Sequence, residues 1–300
     1  MLNWDEQIIN FRNYLLLEKS LSENSIEAYT RDISGLSKSA KQNSLEKFPE
    51  TVDLNFLTRY LDELYNLGIS ARSQARIISG IKAFYKFLLL EDLLEDNPTL
   101  LLETPRLASK LPIVLSIEEI DLLISAIDLS KPEGHRNKAM VETLYSCGLR
   151  VSELVGLKIS NCHFKEGYII VFGKGKKERI VPISEKAIKE IEYYTKHYRS
   201  TLKIHTDFEN ILFLNRRGKQ LTRVMIFTII KNLAKAVELN KNISPHTFRH
   251  SFATHLLDGG ADLRAIQEML GHESIITTEI YTHLDKEFLR DTIIQFHPRS

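Results

Sequence analysis

Cysteine is nearly absent: 300 residues hold two, Cys147 and Cys162, in no spacing that suits a disulfide framework, a thiolate metal site or a redox pair. No apolar run approaches the roughly 18 residues that a membrane-spanning helix needs. Asp5 and Glu6 stand where a secretory signal would carry positive charge. A soluble, cytoplasmic chain with no membrane partner is the expectation. An excess of either charge is also missing. The formal net charge is +1, so any case for nucleic acid must rest on local clusters of Lys and Arg. Before and including Lys110 there are 13 basic and 16 acidic residues, and after it 27 and 23. Internal repeats, low-complexity tracts, HExxH patterns and carboxylate clusters at metal-ligand spacing do not occur.

What the sequence does carry is helical periodicity. Three hundred residues exceed what one compact core usually needs, and the expected fold class is mainly α in two domains. Apolar residues recur at helical spacing from Trp4 through Leu17, and Ser22 caps a second helix running toward Ala40. Asp53 starts a third helix that Gly68 stops, and a fourth runs from near Ser70 to about Leu90. These four make an N-terminal bundle over residues 1–103. Pro98, Pro105 and Pro112 break the periodicity, and residues 104–115 read as a linker. Ser116 and Glu119 form a capping box that opens a second domain, residues 116–300, with helices to about Leu157. Tyr168 to Phe172 and Arg179 to Ile183 flank the turn-like Gly173-Lys174-Gly175-Lys176-Lys177-Glu178 and predict an antiparallel hairpin. Ser184 caps another helix, and most of the remainder reads as helical, interrupted at Gly218, Pro245, Gly259-Gly260 and Gly271.

Several residues in this framework could carry chemistry. On the fourth helix Arg72, Arg76, Lys82 and Lys86 fall within an arc of roughly 120°, opposite Ile77, Ile81, Phe84 and Leu88. With no acid between Ser70 and Leu90, this stripe could neutralise successive DNA phosphates, although a solvated helix face explains it equally well. Pro245 at the first helical position would set His246 and Arg249 three apart on one face, with Phe248, Phe252 and Leu256 turned to a core. Both can donate hydrogen bonds to phosphate, arginine bidentately. Taken singly, the others have ordinary readings. Arg150 and Glu153 make a surface ion pair, Lys174 is a solvated loop lysine, His272 sits beside a glycine, and Tyr281 packs in an amphipathic helix.

Together they resemble the tyrosine recombinase (phage integrase) family. Arg150 in CGLRVSELVGL, Lys174 in GKGKKERIVPI, His246 and Arg249 in SPHTFRHSFATHLL, His272 in LGH and Tyr281 in TTEIYTHL occur in that family's order and spacing. The resemblance spans essentially the whole chain, including the ending Phe296-His297-Pro298-Arg299, and is closest to the Xer site-specific recombinases. Glu273 and Ile276 stand where Xer proteins commonly have small residues, and Glu279 where glutamine is common. The resemblance implies a SAM-like helical bundle that binds the DNA core site and a mostly helical catalytic domain with a small antiparallel β-sheet. It also implies DNA cleavage and rejoining through a 3'-phosphotyrosine at Tyr281, with resolution of chromosome dimers at a dif-like site as the role.

The same resemblance distributes the roles. Arg150 and Arg249 would clamp the nonbridging phosphate oxygens, His246 would take the Tyr281 proton, Lys174 would protonate the leaving 5'-oxygen, His272 would bond the phosphate, and Glu153 would hold Arg150. No cofactor and no divalent metal are expected, and no ATP. Implied partners are double-stranded DNA, a homo- or hetero-tetramer on two DNA sites that could include a second Xer recombinase, and a DNA translocase. The amphipathic segment His283 to Phe296 is expected to dock on a neighbouring subunit. Three rivals stand beside this reading. They are a mobile-element integrase or transposon recombinase of the same family, a noncatalytic DNA-binding clamp, and a metal hydrolase using His246, His250 and His255, which that helical spacing would scatter.

Overall fold

The structure, a computed structural model, describes residues 1–19, 21–42, 47–105, 113–173, 178–271 and 283–299. Lys174, His272 and Tyr281 lie outside the described residues. The chain divides into two units, Met1–Lys110 and Leu111–Ser300.

Four α-helices build the first unit: α1 (Trp4–Leu17), α2 (Glu23–Gln42), α3 (Leu54–Asn66) and α4 (Ala71–Leu90). Their starts are set by side chains that accept N–H groups left unpaired in a first helical turn. Asn3 Oδ1 takes the Asp5 N–H at 2.8 Å, Asp53 Oδ1 that of Phe56 at 2.7 Å, and Ser70 Oγ that of Ser73 at 3.3 Å. Rings from α1 and α4 form the seam: Phe11 meets Phe84 edge-on at 5.3 Å, and Trp4 stacks on Phe84 at 5.9 Å. Ile33, Leu36, Leu57, Ile81 and Leu88 are fully buried around it. At roughly 1.5–3 kcal/mol per buried side chain, this seam is what opposes the chain entropy of the bundle.

The second unit opens on the expected capping box, in which Ser116 Oγ accepts the Glu119 N–H at 3.2 Å and Glu119 Oε2 accepts the Ser116 N–H at 2.8 Å. After α5 (Ile117–Ser125), α6 (Pro132–Cys147) runs through the core, buried without a break from Ala139 to Leu149 and flanked by α8 (Glu185–His197) and α10 (Pro245–Gly259). Gly148 ends α6 at φ +55°, where a Cβ would lie 2.4 Å from the Phe252 ring. That glycine turns the chain into the short α7 (Val151–Val155) and places Arg150 at its start.

A three-stranded antiparallel sheet follows, in the order β1 (Cys162–His163), β2 (Tyr168–Phe172), β3 (Glu178–Pro182). The hairpin agrees with the sequence reading. The strand β1 was not anticipated, because two residues are too few to display a period-two alternation. The register sets Val171 opposite Arg179 and Ile169 opposite Val181 on the face turned to the core.

The stretch 198–222 departs from the mostly helical expectation. It is built of 3-10 turns and the isolated bridges Lys158–Ile211 and Leu214–Gln220. Asn215 and Gly218 are turn formers, and a Cβ at Gly218 (φ +67°) would meet the Lys203 carbonyl oxygen at 2.0 Å. Three helices complete the unit: α9 (Arg223–Ala236), α11 (Leu263–Leu270) and α12 (His283–Phe296), with α10 lying between α9 and α11 in chain order.

The tail packs into its own unit. Leu289 and Ile293 of α12 are buried within the tail's own unit. The His297 ring lies 4.8 Å from that of Tyr145 and 5.5 Å from that of Phe252. Arg299 reaches Asp121 at 2.6 Å and Glu142 at 3.3 Å. Deleting the residues after Asp285 would therefore strip the second unit of core contacts as well as any contact with a neighbour. Only outward side chains such as Phe288 and Ile294, each 53% exposed, can separate the two effects.

The same tail predicts an acid-sensitive fold. Burial pushes the His297 imidazole down to about 3, with His255 and Arg299 adding positive charge nearby. The unfolded chain, titrating near 6.5, binds the extra proton first as pH falls. This contribution to stability is therefore complete above about pH 6.5 and is lost on acidification at up to ~1.4 kcal/mol per pH unit. Unfolding free energies measured from pH 7 to 5 should fall less steeply for His297→Asn than for the wild type; parallel slopes would contradict the assignment.

Candidate active site

Six sequence-predicted residues fall in the second unit, and the structure describes three of them, with Glu153, in one neighbourhood. Arg150 begins α7, one residue past the buried Leu149. Its main-chain N–H donates to Glu153 Oε2 at 2.8 Å, its Nη1 to Glu153 Oε1 at 2.9 Å, and its Nη2 to the Gly271 carbonyl at 3.1 Å. Arg249, from the first turn of α10, donates through Nη1 to the Gly148 carbonyl at 2.8 Å and through Nη2 to the Leu270 carbonyl at 2.5 Å. His246 opens the same helix, exposed, and lines with Arg249, His250, Leu263, Ile266 and Leu270 a cavity of about 610 Å³ between α10 and α11.

The sequence reading missed Arg179. This β3 arginine donates through Nε to the Met269 carbonyl at 2.8 Å, and through Nη1 and Nη2 to the two oxygens of Glu153 at 2.7 and 2.8 Å. Three guanidiniums thus hold three successive carbonyls at the end of α11: Arg179 that of Met269, Arg249 that of Leu270, Arg150 that of Gly271. Positive charge suits this position, because the last carbonyls of a helix are unpaired and carry partial negative charge. Gly271 caps α11 at φ +64°, and a Cβ on it would stand 2.9 Å from Arg179 Cδ. The alternation that puts Val181 in the core puts Arg179 beside it, a signal that calls for a carboxylate partner.

Electrostatics follow from this packing. Glu153 has a side chain only 1% exposed. Burial by itself raises its carboxyl, but the hydrogen bonds and charge of Arg179, joined by Arg150, hold it below the ordinary carboxylate range. Burial likewise pushes the Arg249 guanidinium down to about 10, with the like charges of Arg150 and Arg179 adding to it, so it stays protonated at neutral pH. Arg150 is the most open of the three, its side chain 34% exposed against 6% for Arg179. Three cations against one carboxylate leave the cluster with an excess of positive charge suited to a dianionic or developing-charge ligand.

Removing the carboxylate should be costly. Glu153→Ala leaves Arg179 buried with no counter-ion, and breaking a buried pair costs about 3–5 kcal/mol. Glu153's contribution is present above the ordinary carboxylate range and is lost as pH falls through its depressed folded value. Urea unfolding should therefore show a large gap between wild type and variant at pH 7 that narrows in acid; a gap below about 1 kcal/mol at pH 7 would contradict the role.

The remaining expectations divide. In the first unit Ile77, Ile81, Phe84 and Leu88 of α4 are buried, while Arg72 and Lys86 are exposed and Lys82 half-buried. Arg76 does not stand free on that face: it pairs with Asp32 of α2, whose side chain is 4% exposed. The acid was absent from α4 itself but came from the neighbouring helix. Of the three histidines in the metal-hydrolase reading, His255 is committed to a 2.7 Å hydrogen bond with Tyr145 Oη. Among the described residues, no group of three or more His, Cys, Asp and Glu gathers as a metal site.

The phage integrase family model matches residues 114–287, and the model of the phage integrase N-terminal SAM-like domain matches residues 8–92. The chain is 44% identical over 300 residues to the tyrosine recombinase XerD of Chlorobaculum tepidum, covering 99% of this chain and 98% of that one. It is 42% identical over 293 residues to the XerD of Staphylococcus haemolyticus, covering 98% and 99%. In fold it is similar to the Tn1549 transposon integrase solved with circular-intermediate DNA, at a TM-score of 0.70 and 22% identity over 90% of this chain and 92% of that one.

Proposed function

The chain belongs to the phage integrase family of tyrosine recombinases, and on that premise we propose that it cleaves and rejoins duplex DNA at a specific site through a 3'-phosphotyrosyl link to Tyr281. The observation that carries this reading is the convergence of Arg150 and Arg249 on the end of α11, directly before residue 272. A phosphodiester repels nucleophiles because its oxygens are already anionic, and fixed guanidiniums neutralise that charge most strongly as the pentacoordinate transition state forms.

Tyr281 Oη gives its proton to His246 and bonds to phosphorus. The bond from phosphorus to the 5'-oxygen breaks, and Lys174 protonates that oxygen. Arg150 and Arg249 hold the nonbridging oxygens, His272 adds a hydrogen bond, and Glu153 keeps Arg150 in place. The phosphotyrosine conserves the bond energy, so a 5'-hydroxyl from a second strand can reverse the step and complete an exchange.

The assignment extends to architecture and role. Residues 1–103 hold the core site through Arg72, Lys82 and Lys86, residues 116–300 carry the chemistry, and 104–115 join them. Arg76 contributes to DNA only at the expense of its pair with Asp32. The XerD relatives, similar along their whole length, favour a chromosomal, dif-like site over a mobile element's ends. The assembly is a homo- or hetero-tetramer on two sites, the hetero form pairing this chain with a second Xer recombinase, and a DNA translocase is a further candidate partner. It works in the cytoplasm; no helix among the described residues is long and apolar enough to cross a membrane.

A nicked suicide substrate carrying a dif-like site, incubated with wild-type protein in EDTA, tests the chemistry. A protein–DNA adduct that survives denaturant is the expected result. Cleavage without an adduct, or cleavage that disappears with the chelator, would point to a hydrolase.

A further inference from the structure

We infer that Arg179 is a positioning residue for the cleavage step, a strut that sets the geometry of Arg150 and of the α11 end without touching DNA. The inference rests on the recombinase reading above and assigns a residue that reading does not use.

Arg179 sits on the core face of β3 beside Val181 and opposite Val171, 5% exposed, where a charged group is expensive unless its nitrogens are hydrogen-bonded. Its Nε, Nη1 and Nη2 all are: one to Met269, two to Glu153. A lysine could supply the charge, but it could not bridge a carboxylate and a carbonyl through one planar fork.

The two ends of that fork explain its use. At one end Glu153 receives four hydrogen bonds: two from Arg179, and two from Arg150 through its main-chain nitrogen and Nη1. Arg179 therefore fixes the carboxylate that fixes Arg150. At the other end it clasps the Met269 carbonyl and passes over Gly271, whose missing Cβ leaves room for Arg179 Cδ. Gly271 in turn supplies the carbonyl held by Arg150 Nη2. Arg150, Glu153, Arg179 and residues 269–271 thus close one ring of contacts.

Arg150, with a side chain 34% exposed, is the open member of the ring, whereas Arg179 has all three nitrogens turned to Met269 and Glu153. β3 starts at Glu178, so the strut stands one residue into that strand. Loosening it should misplace charge at the phosphate by a fraction of an ångström to an ångström, a scale at which rate losses of roughly 10- to 100-fold are ordinary.

The test is Arg179→Lys in single-turnover cleavage of the suicide substrate, scored per folded, DNA-bound molecule. The cleavage rate is expected to fall roughly 10- to 100-fold with DNA affinity within about twofold of wild type. A residue needed only for folding would lower the melting temperature and the active fraction but leave the rate per bound molecule unchanged, and that outcome overturns the proposal. Millimolar methylguanidinium should restore part of the rate to Arg179→Ala.

A measurement on protein with Arg179 intact covers the case in which neither variant folds. The Arg179 Nε–H, observed by NMR in Tyr281→Phe protein, should stay protected from solvent exchange when uncleaved DNA binds, while the Arg150 signals shift. Shifts of Arg179 as large as those of Arg150 would make it a phosphate contact and overturn its role as a strut. Failure of the wild type to form any adduct would instead sink the recombinase reading, so the two failures are distinguishable.

Discussion

Tyr281→Phe protein should bind its DNA site within about twofold of wild type and form no covalent adduct, with cleavage falling by roughly 10⁴-fold or more, as loss of a nucleophile does. Phenylalanine keeps the ring and deletes only the oxygen that would bond to phosphorus. Every later step depends on that bond, because the phosphotyrosine alone carries the energy for rejoining. Strand exchange should therefore disappear together with cleavage, in gels that resolve both. A variant that still cuts, even slowly and without rejoining, would place the attacking group elsewhere and revive a water-activating mechanism.

Arg249→Lys is the second large effect. The expected result is a fall in single-turnover cleavage of roughly 10²- to 10³-fold, the scale seen when one preorganised donor to developing charge is removed. Arg249 donates to the carbonyls of Gly148 and Leu270 and still has N–H groups to offer a phosphate. An ammonium on a flexible stem cannot serve both carbonyls and a ligand at once. The guanidinium is also the link between the Gly148 turn, which sets Arg150, and the end of α11. Weaker DNA binding at an unchanged rate would make Arg249 a binding group only. A rate within threefold of wild type would contradict its place at the phosphate.

How much of this was legible in advance varies with the kind of signal. Helix starts marked by a cap residue were readable, as at Asp53, Ser70, Ser116 and Ser184, because a side chain satisfying its own first turn is a local interaction. Pro245 at N1 correctly turned Phe248, Phe252 and Leu256 to the core. Pairings between elements were not readable. Asp32 neutralises Arg76 from 44 positions away, and Glu153 meets Arg179 from 26 away. Such contacts depend on the packing of helices and strands, which no window of sequence contains. The tail illustrates the same limit: its amphipathic pattern announced a buried face but not that the tail's own unit would bury it.

His246 and Arg249 show the two limits together. Their spacing set them on one helix face, and both line the cavity between α10 and α11, yet helical periodicity described them as equals. The structure makes Arg249 a buried, carbonyl-bound cation and leaves His246 exposed. Burial of that arginine comes from the Gly148 turn and the end of α11, both remote in sequence.

The most direct measurement is to trap the wild-type adduct on a suicide substrate, digest both protein and DNA, and identify the linked peptide and the released DNA end. The account predicts a nucleotide attached through its 3'-phosphate to the peptide containing Tyr281, and a released strand bearing a free 5'-hydroxyl that polynucleotide kinase can label. A nucleotide on any other residue, or a released 5'-phosphate, would contradict it.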